Sequence, residues 1–122
     1  TADTVVCIHD RILGKPADRK EAISMLRELS GNRHLVVTGV SVTTRTEQLS
    51  FSSRTDVFFK HLSNEEIIFY VDTYKPFDKA GAYGIQEWIG YIGIERIEGS
   101  FYNVMGLPIQ KLYETLRKLQ FQ

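Results

Sequence analysis

Cysteine, net charge and long apolar runs are all scarce in this 122-residue sequence, and each scarcity excludes a class of protein. The single cysteine, Cys7, excludes an internal disulfide and a cysteine-based zinc site, and it favours a reducing, cytoplasmic compartment. The 15 basic and 15 acidic residues cancel, whereas general nucleic-acid and membrane-surface binders carry a basic excess. No apolar run approaches the about 18 residues of a membrane-spanning helix. We therefore expect neither a nucleic-acid partner nor a membrane partner.

What the sequence does contain is the composition of an ordinary globular domain. Hydrophobic residues make up 43% and charged residues 25% of the chain, and a chain of this length can bury a core without disulfides. No internal repeat, linker or low-complexity segment divides it. We therefore treat residues 1–122 as one domain, which has the size of a single domain or of one large half of a two-part fold.

Hydrophobic periodicity and turn residues predict a mixture of strands and helices. Apolar runs predict strands at residues 4–8, 35–44 and 92–97, and another through residues 57–59 after a hairpin turn. Asp18 and Ser63 each have a glutamate three residues later, which is the capping-box spacing of a helix start. A last helix is predicted by the apolar stripe Ile109, Leu112, Tyr113, Leu116 and Leu119. The mixture predicts an α/β fold with a mixed sheet rather than an all-parallel one.

The segment 76–86 (PFDKAGAYGIQ) is the stretch that most resembles a ligand site. Small residues let a backbone approach a ligand closely, and Lys79 adds a positive charge. Gln86 can both donate to and accept from the edge of a base. Because the segment does not match the GxGxxG pattern, an ordinary glycine-rich connection is the alternative.

Two further charged residues flank predicted strands or turns. Asp3 precedes a buried strand, where a carboxylate can bind a divalent cation or activate a water, although a solvated or capping aspartate is the alternative. Lys15 follows a glycine and can reach a phosphate as a point charge. The P-loop pattern fails because Pro16 stands where serine or threonine is required, so a surface lysine is the alternative.

The remaining reactive side chains are interpreted as structural. His9, His34 and His61 lack metal-ligand spacing and are expected to be surface or packed residues. Cys7 lies between two apolar residues and is expected to be a buried core thiol. Three aromatic residues near glycines are candidates for a pocket wall: Tyr83, Phe101 and Tyr102.

Taken together, these stretches resemble the septum-formation inhibitor (Maf) family of nucleoside triphosphate pyrophosphatases. The matching strings occur in the family's order at residues 2–6 (ADTVV), 13–16 (LGKP), 30–31 (SG) with 37–40 (VTGV), 78–86 (DKAGAYGIQ) and 98–108 (EGSFYNVMGLP). Each string alone is weak, but together they are specific and span nearly the whole chain. The resemblance implies an inosine-triphosphatase-like fold with a twisted mixed sheet flanked by helices.

The resemblance also implies an activity. Members of the family hydrolyse a nucleoside triphosphate to the monophosphate and pyrophosphate with a divalent cation, Mg²⁺ or Mn²⁺, and clear unwanted nucleotides. Asp-Thr at residues 3–4 and Gly-Ile-Gln at residues 84–86 follow the branch that acts on dTTP and UTP, rather than the 7-methyl-GTP branch. A non-catalytic nucleotide-binding or septum-formation regulatory protein is the alternative. A homodimer is a further partner that the resemblance suggests.

Site residues follow from the same resemblance. It makes Asp3 the proton acceptor, and it places Asp3 and Asp78 as cation ligands, with Asp78 able to fix a neighbouring lysine instead. The substrate contacts that it implies are Lys15 and Lys79 for the triphosphate, and Thr4 and Gln86 for the choice of base.

One departure from the family concerns its N-terminal segment, which carries a Ser-x-x-Arg-Arg phosphate-binding motif and a metal-binding glutamate. Neither precedes Thr1, and Ser52-Ser53-Arg54 lacks the arginine pair. We therefore expect residues 1–122 to be the C-terminal part of a longer Maf-like pyrophosphatase domain, without the N-terminal phosphate-binding segment. We also expect the sheet neighbour of the strand at residues 4–8 to lie in that segment.

Overall fold

The computed structural model describes residues 1–120, with the side chains described up to residue 118. Five strands form one sheet in the order β2-β1-β3-β4-β5, with bounds β1 Ala2–Ile8, β2 Arg11–Leu13, β3 Arg33–Thr43, β4 Gln48–Phe59 and β5 Ile94–Glu98. The helices are α1 Arg19–Leu29, α2 Asn64–Tyr74, α3 Trp88–Gly93, α4 Phe101–Met105 and α5 Ile109–Gln120, with a 3₁₀ turn at Ala80–Ala82. The predicted α/β class, a sheet flanked by helices, is confirmed.

The sheet departs from the mixed pairing that we expected. All four strand pairings of the described residues are antiparallel. For two of the pairings the physical reason is local, because tight turns join β1 to β2 and β3 to β4, and a tight turn can only reverse the chain. The β1–β3 and β4–β5 pairs are instead joined through segments that contain helices. His9 and Asp10 form the first of these turns, and both have positive φ, as a two-residue hairpin requires.

We expected the sheet neighbour of β1 to lie in the family's N-terminal segment, and this expectation is also wrong in part. Antiparallel β2 pairs with residues 6–8 of β1, while β3 pairs with residues 2–7 on the other side. The outer edge of β1 is therefore covered over its second half by the chain's own hairpin, which the sequence reading did not include.

Both predicted capping sites begin helices. The Asp18 side chain accepts a hydrogen bond from the Glu21 backbone N–H at 2.9 Å and starts α1. Ser63 and Glu66 form a reciprocal capping box at the start of α2. The apolar faces of both helices join the core, where Leu26, Leu29 and Ile67 are buried.

One face of the sheet is buried and the other is half-exposed. Along β3 the buried positions alternate from His34 through Val36 and Thr38 to Val40. Cys7 lies between the core residues Val6 and Ile8, so its side chain points to the opposite face and is only half-buried. The expectation of a buried core thiol is therefore wrong.

Two predictions near the C-terminal end need adjustment. The strand predicted at residues 92–97 begins at Ile94, because the two preceding residues end α3. Helix α5 forms as predicted, but its apolar stripe is not core: Ile109, Tyr113 and Leu116 are 50%, 59% and 46% exposed. The side chain of Leu119, the last residue of that stripe, lies outside the described residues.

Within residues 1–120, none of the helices has the length and apolar character needed to cross a bilayer.

Candidate active site

A cavity of about 270 Å³ opens beside β1 and collects residues from separate stretches of the chain. Its walls come from the start of β1, the turn after β2, the segment 78–86 and the end of α4. All six site residues predicted from the sequence line it: Asp3, Thr4, Lys15, Asp78, Lys79 and Gln86. The volume lies just below the range of about 300–1,000 Å³ that is usual for small-molecule pockets.

Backbone contacts explain why the two lysines share this cavity. The Gly81 N–H donates to the carbonyl oxygen of Gly14 at 3.1 Å, which fixes the segment 78–86 against the turn that carries Lys15. Gly81 has φ of +70°, and a Cβ there would lie 2.9 Å from a methyl carbon of Val6. Only glycine permits this close approach to β1 at that φ. The glycine therefore brings Lys79 to the same cavity as Lys15.

Asp3 is one of the exposed residues that line the cavity. It pairs with Gly39 across the β1–β3 ladder. Besides the candidate site, Asp3 borders a more open cavity formed with β3 and β4. The carboxylate is thus in contact with water, as a group that activates a water requires.

A buried hydrogen-bond network lies behind Thr4. The hydroxyl oxygens of Thr4 and Thr38 are 2.9 Å apart, and the Thr38 hydroxyl donates to the main-chain oxygen of Asn103 at 3.2 Å. Because a hydroxyl has one proton, Thr38 accepts from Thr4, so Thr4 Oγ1 presents lone pairs rather than a proton to the cavity. The Asn103 amide in turn donates to Val36 O at 3.2 Å and to Thr55 Oγ1 at 2.8 Å.

The two charged residues of the segment 78–86 contact each other. Lys79 Nζ lies 3.1 Å from Asp78 Oδ1, and this hydrogen bond lowers the pKa of the Asp78 carboxyl. A lowered pKa keeps Asp78 ionised at neutral pH, as a cation ligand must be. A second carboxylate, Glu87, lies 3.7 Å from Lys79 Nζ.

Tyr83 forms part of the inner wall. Its hydroxyl is 2.6 Å from His34 Nε2, and its ring packs edge-on against Phe59. Burial lowers the pKa of His34 to about 4, so the imidazole is neutral at pH 7, and burial raises the pKa of Tyr83. The pair is a neutral structural contact. Of the other aromatic candidates, Phe101 borders a separate apolar cavity of about 250 Å³, which also touches Gln86, and Tyr102 is exposed.

Comparison with known proteins assigns the family. The sequence model of the family described as Maf-like protein matches residues 1–119. The chain belongs to the Maf-like protein family. It is 61% identical over 119 residues to the dTTP/UTP pyrophosphatase of Bacteroides thetaiotaomicron, covering 98% of this chain and 62% of that protein. It is 62% identical over 117 residues to the dTTP/UTP pyrophosphatase of Porphyromonas gingivalis, covering 96% of this chain and 59% of that protein.

A more distant relative agrees with these. The dTTP/UTP pyrophosphatase of Cytophaga hutchinsonii is 52% identical over 118 residues, which cover 97% of this chain and 54% of that protein. The Maf-like chain therefore spans a little over half the length of the curated relatives that it matches.

The donor set of this Maf-like chain suits one kind of divalent-cation site. No group of three or more His, Cys, Asp or Glu residues that could hold a metal occurs within residues 1–120. The cavity offers two carboxylates, those of Asp3 and Asp78. Mg²⁺ and similar hard cations are commonly held by one or two carboxylates together with substrate phosphates, so these residues fit a cation that binds with a nucleotide.

Sequence reasoning missed the residues that support the site from behind. Thr38 and Asn103 orient Thr4. Glu87 lies near Lys79, and Tyr70 donates a hydrogen bond to Glu87. Asn103 lies inside the 98–108 string that carries the family resemblance, which was a usable signal. Tyr70 lies on a helix face that periodicity assigns to the core, and nothing in the sequence distinguishes it from its apolar neighbours.

Proposed function

We propose that the protein hydrolyses dTTP and UTP to the monophosphate and pyrophosphate. The observation that carries the proposal is the single cavity that gathers two carboxylates, two ammonium groups, a threonine and a glutamine. The names of relatives with 52–62% identity support it. A house-cleaning role, a homodimer and a cytoplasmic location stay predictions.

The charged groups of the cavity have different roles in the hydrolysis. Asp3 accepts a proton from the attacking water, whose oxygen bonds to the α phosphorus while the bond to the bridging oxygen breaks and pyrophosphate leaves. Lys15 and Lys79 offset the negative charge that develops on the phosphoryl oxygens. A bound Mg²⁺ or Mn²⁺ would neutralise further phosphate charge, with Asp78 and Asp3 as its protein ligands.

The hydroxyl of Thr4 supports selection of thymine and uracil. Thr4 donates to Thr38, so it offers only an acceptor to a base in the cavity. Thymine and uracil carry an N–H at N3, whereas cytosine has an unprotonated N3 that would face the lone pairs of Thr4. The Gln86 amide can donate to O4 of the same bases. Thr4 therefore favours dTTP and UTP over CTP, whereas Gln86 can bind the 4-position of either base by turning its amide.

The test is release of pyrophosphate by the full-length protein from dTTP, UTP, CTP and 7-methyl-GTP, with Mg²⁺ or Mn²⁺ added. We expect dTTP and UTP to be turned over with kcat/KM at least about 10-fold above the other two, as the loss of one polar contact to a base predicts. Preference for 7-methyl-GTP would contradict the base assignment. Tight binding of dTTP without any turnover would favour the non-catalytic alternative.

A further inference from the structure

A short series of hydrogen bonds, which joins Gly84, Tyr70 and Glu87, approaches Lys79 from behind the cavity wall. The Gly84 backbone N–H donates to the Tyr70 hydroxyl oxygen at 3.1 Å, and the Tyr70 hydroxyl donates to Glu87 Oε1 at 2.8 Å. The same Glu87 oxygen lies 3.7 Å from Lys79 Nζ. Lys79 lines the cavity, whereas Tyr70 and Glu87 are not among its lining residues. Tyr70 and Glu87 therefore support a cavity residue without facing a ligand themselves.

Tyr70 is a rigid member of this chain. Its side chain is fully buried on α2, and its ring stacks on Tyr74 with a centroid separation of 5.1 Å. Burial raises the pKa of the Tyr70 hydroxyl, so it keeps its proton and donates throughout the physiological range. A buried, protonated hydroxyl with one fixed donor partner holds the Glu87 oxygen in a single place.

Lys79 has two carboxylate neighbours, and they differ in how firmly they are held. The Asp78 side chain is 75% exposed, whereas the Glu87 side chain is 20% exposed and is anchored by Tyr70. An exposed ion pair between sequence neighbours contributes little to fixing a side chain. The shorter contact of Lys79 Nζ is the hydrogen bond to Asp78 at 3.1 Å, and Glu87 at 3.7 Å acts on the ammonium group through its charge. Because Glu87 is the anchored member of the two, it supplies the fixed negative charge that orients the ammonium group.

Gly84 provides the space in which Lys79 and Glu87 meet. A Cβ at this position would lie 2.5 Å from Glu87 Oε1 and 2.9 Å from Lys79 Cε. Both atoms belong to the far ends of flexible side chains, which can move aside at low cost to the fold. An alanine here would separate the pair and leave the backbone where it is.

We propose that Tyr70 and Glu87 are positioning residues that hold the Lys79 ammonium group against the triphosphate. This inference rests on the proposed pyrophosphatase function. A misplacement of about 1 Å in a charged group can cost on the order of 10²-fold in rate, so the contribution is measurable. The effect falls on kcat more than on KM, because Lys15 and the base contacts remain.

The experiment compares Glu87→Gln, Tyr70→Phe and the double variant in the full-length protein. We expect Glu87→Gln to lower kcat for dTTP about 10-fold with KM changed less than about 3-fold, and Tyr70→Phe to act in the same direction. Because both act through one contact, the double variant should be no slower than Glu87→Gln alone. The matched controls are Glu95→Gln and Tyr113→Phe, both exposed side chains outside the cavity lining, which should keep normal turnover.

A second measurement separates this inference from the proposed function. The rate at which an amine-reactive ester acylates Lys79, followed by peptide mass spectrometry, needs no turnover. We expect it to rise several-fold in Glu87→Gln and in Gly84→Ala, while the thermal unfolding midpoint of Gly84→Ala stays close to that of the wild type. If the wild type does not hydrolyse dTTP, the proposed function fails and the acylation rates decide the positioning alone. Unchanged acylation of Lys79, or unchanged kcat in an active Glu87→Gln protein, would overturn the inference.

Discussion

At the scale of single residues, the direction of one proton decides what the cavity offers to a base. Thr4 and Thr38 are both hydroxyl residues, and only the acceptor beyond Thr38, the main-chain oxygen of Asn103, gives the pair a direction. The consequence is a cavity with an acceptor at Thr4 and the two-sided amide of Gln86.

Replacing Thr4 with valine should reduce the discrimination between bases. Valine keeps the shape of the side chain but removes the acceptor, and losing one polar partner costs roughly 1–3 kcal/mol. We expect the ratio of kcat/KM for UTP over CTP to fall about 10-fold in Thr4→Val and to be retained in Thr4→Ser, and we expect Gln86→Ala to lower the ratio for UTP over 7-methyl-GTP. Steady-state kinetics on the full-length protein gives the ratio, and an unchanged ratio in Thr4→Val would mean that Thr4 does not contact the base.

Replacing Asp3 with asparagine should stop the chemistry and spare the fold. The residue is exposed at the start of β1, so the amide causes no burial penalty, but it cannot accept the proton of the attacking water. Loss of a general base typically lowers the rate by about 10²–10⁴-fold. Pyrophosphate release and the thermal unfolding midpoint should be measured together, and near-normal dTTP hydrolysis would rule out the proton-acceptor role.

At the scale of elements, α4 is attached to the sheet by the buried polar residue Asn103 and by its N-cap residue Ser100, whose main-chain oxygen accepts from Thr55 at 3.2 Å. Asn103 is fully buried, and its amide bonds to β3 and β4 while its main-chain oxygen accepts from Thr38. The end of this five-residue helix supplies one wall of the cavity. The position of that cavity wall therefore depends on Asn103.

Asn103→Ala should destabilise the protein and loosen the cavity at once. The substitution removes the amide donor of Val36 O and one partner of Thr55 Oγ1, which keeps its hydrogen bond to Ser100 O. Loss of a buried polar partner costs about 1–3 kcal/mol. We expect the free energy of unfolding in urea to fall by about 2 kcal/mol and KM for dTTP to rise. Asn64→Ala serves as the control on an exposed asparagine, and a stability loss no larger than in that control would contradict the account.

The elements also show which parts of the fold the sequence could predict. The starts of α1 and α2 were predictable because Asp18 and Ser63 act through backbone groups three residues away. Strand β2 was missed because it has three residues and follows a turn with non-glycine positive φ. Helix α4 was missed because it has only five residues, too few to show a periodic pattern, and its buried Asn103 bonds to partners 48 and 67 residues distant in the chain.

At the candidate site too, residues in recognisable sequence strings were predictable, whereas residues brought close only by the fold were not. The six predicted site residues that line the cavity lie in strings that carry the family resemblance, so they could be named in advance. Tyr70 and Glu87 could not, because the fold alone brings α2 and the start of α3 to Lys79.

At the scale of the whole molecule, one buried histidine makes stability depend on pH. The pKa of His34 is lowered from 6.5 to about 4 by burial, so between these values the unfolded chain binds a proton that the folded chain does not. Stability is then unaffected by this group above pH 6.5 and falls as the pH drops toward 4. We expect a loss of about 2 kcal/mol between pH 7 and pH 5.

Urea unfolding at pH 7, 6 and 5 measures this loss. His34→Gln should flatten the dependence, and His61→Gln, which changes an exposed side chain, should leave it as in the wild type. Carboxylates with a lowered pKa, such as Asp72 and Asp78, lose their contribution to the free energy of unfolding only at lower pH. They therefore do not affect the comparison between pH 7 and pH 5. Equal slopes in His34→Gln and the wild type would contradict the assignment.

The last prediction concerns how much of the activity resides in residues 1–122. The relatives are longer, since the matched region is 54–62% of their length. Within residues 1–120 the cationic groups lining the cavity are Lys15 and Lys79, and hydrolysis needs charge stabilisation along the whole triphosphate. The family resemblance leads us to expect a serine and an arginine pair from outside this region. We therefore expect residues 1–122 alone to turn over dTTP at least about 10²-fold more slowly than a full-length protein that includes that motif.

The comparison requires both proteins at the same concentration with excess Mg²⁺ or Mn²⁺, each examined by size-exclusion chromatography as well. The exposed stripe of α5, with Ile109, Tyr113 and Leu116, should make residues 1–122 self-associate when produced alone. Leu116→Asp should reduce that association, because a charge interrupts the apolar stripe, and it should leave the cavity unchanged, since Leu116 does not line it. If residues 1–122 are monomeric and as active as the full-length protein, the two lysines suffice for the triphosphate. The expected arginines would then have no part in the reaction.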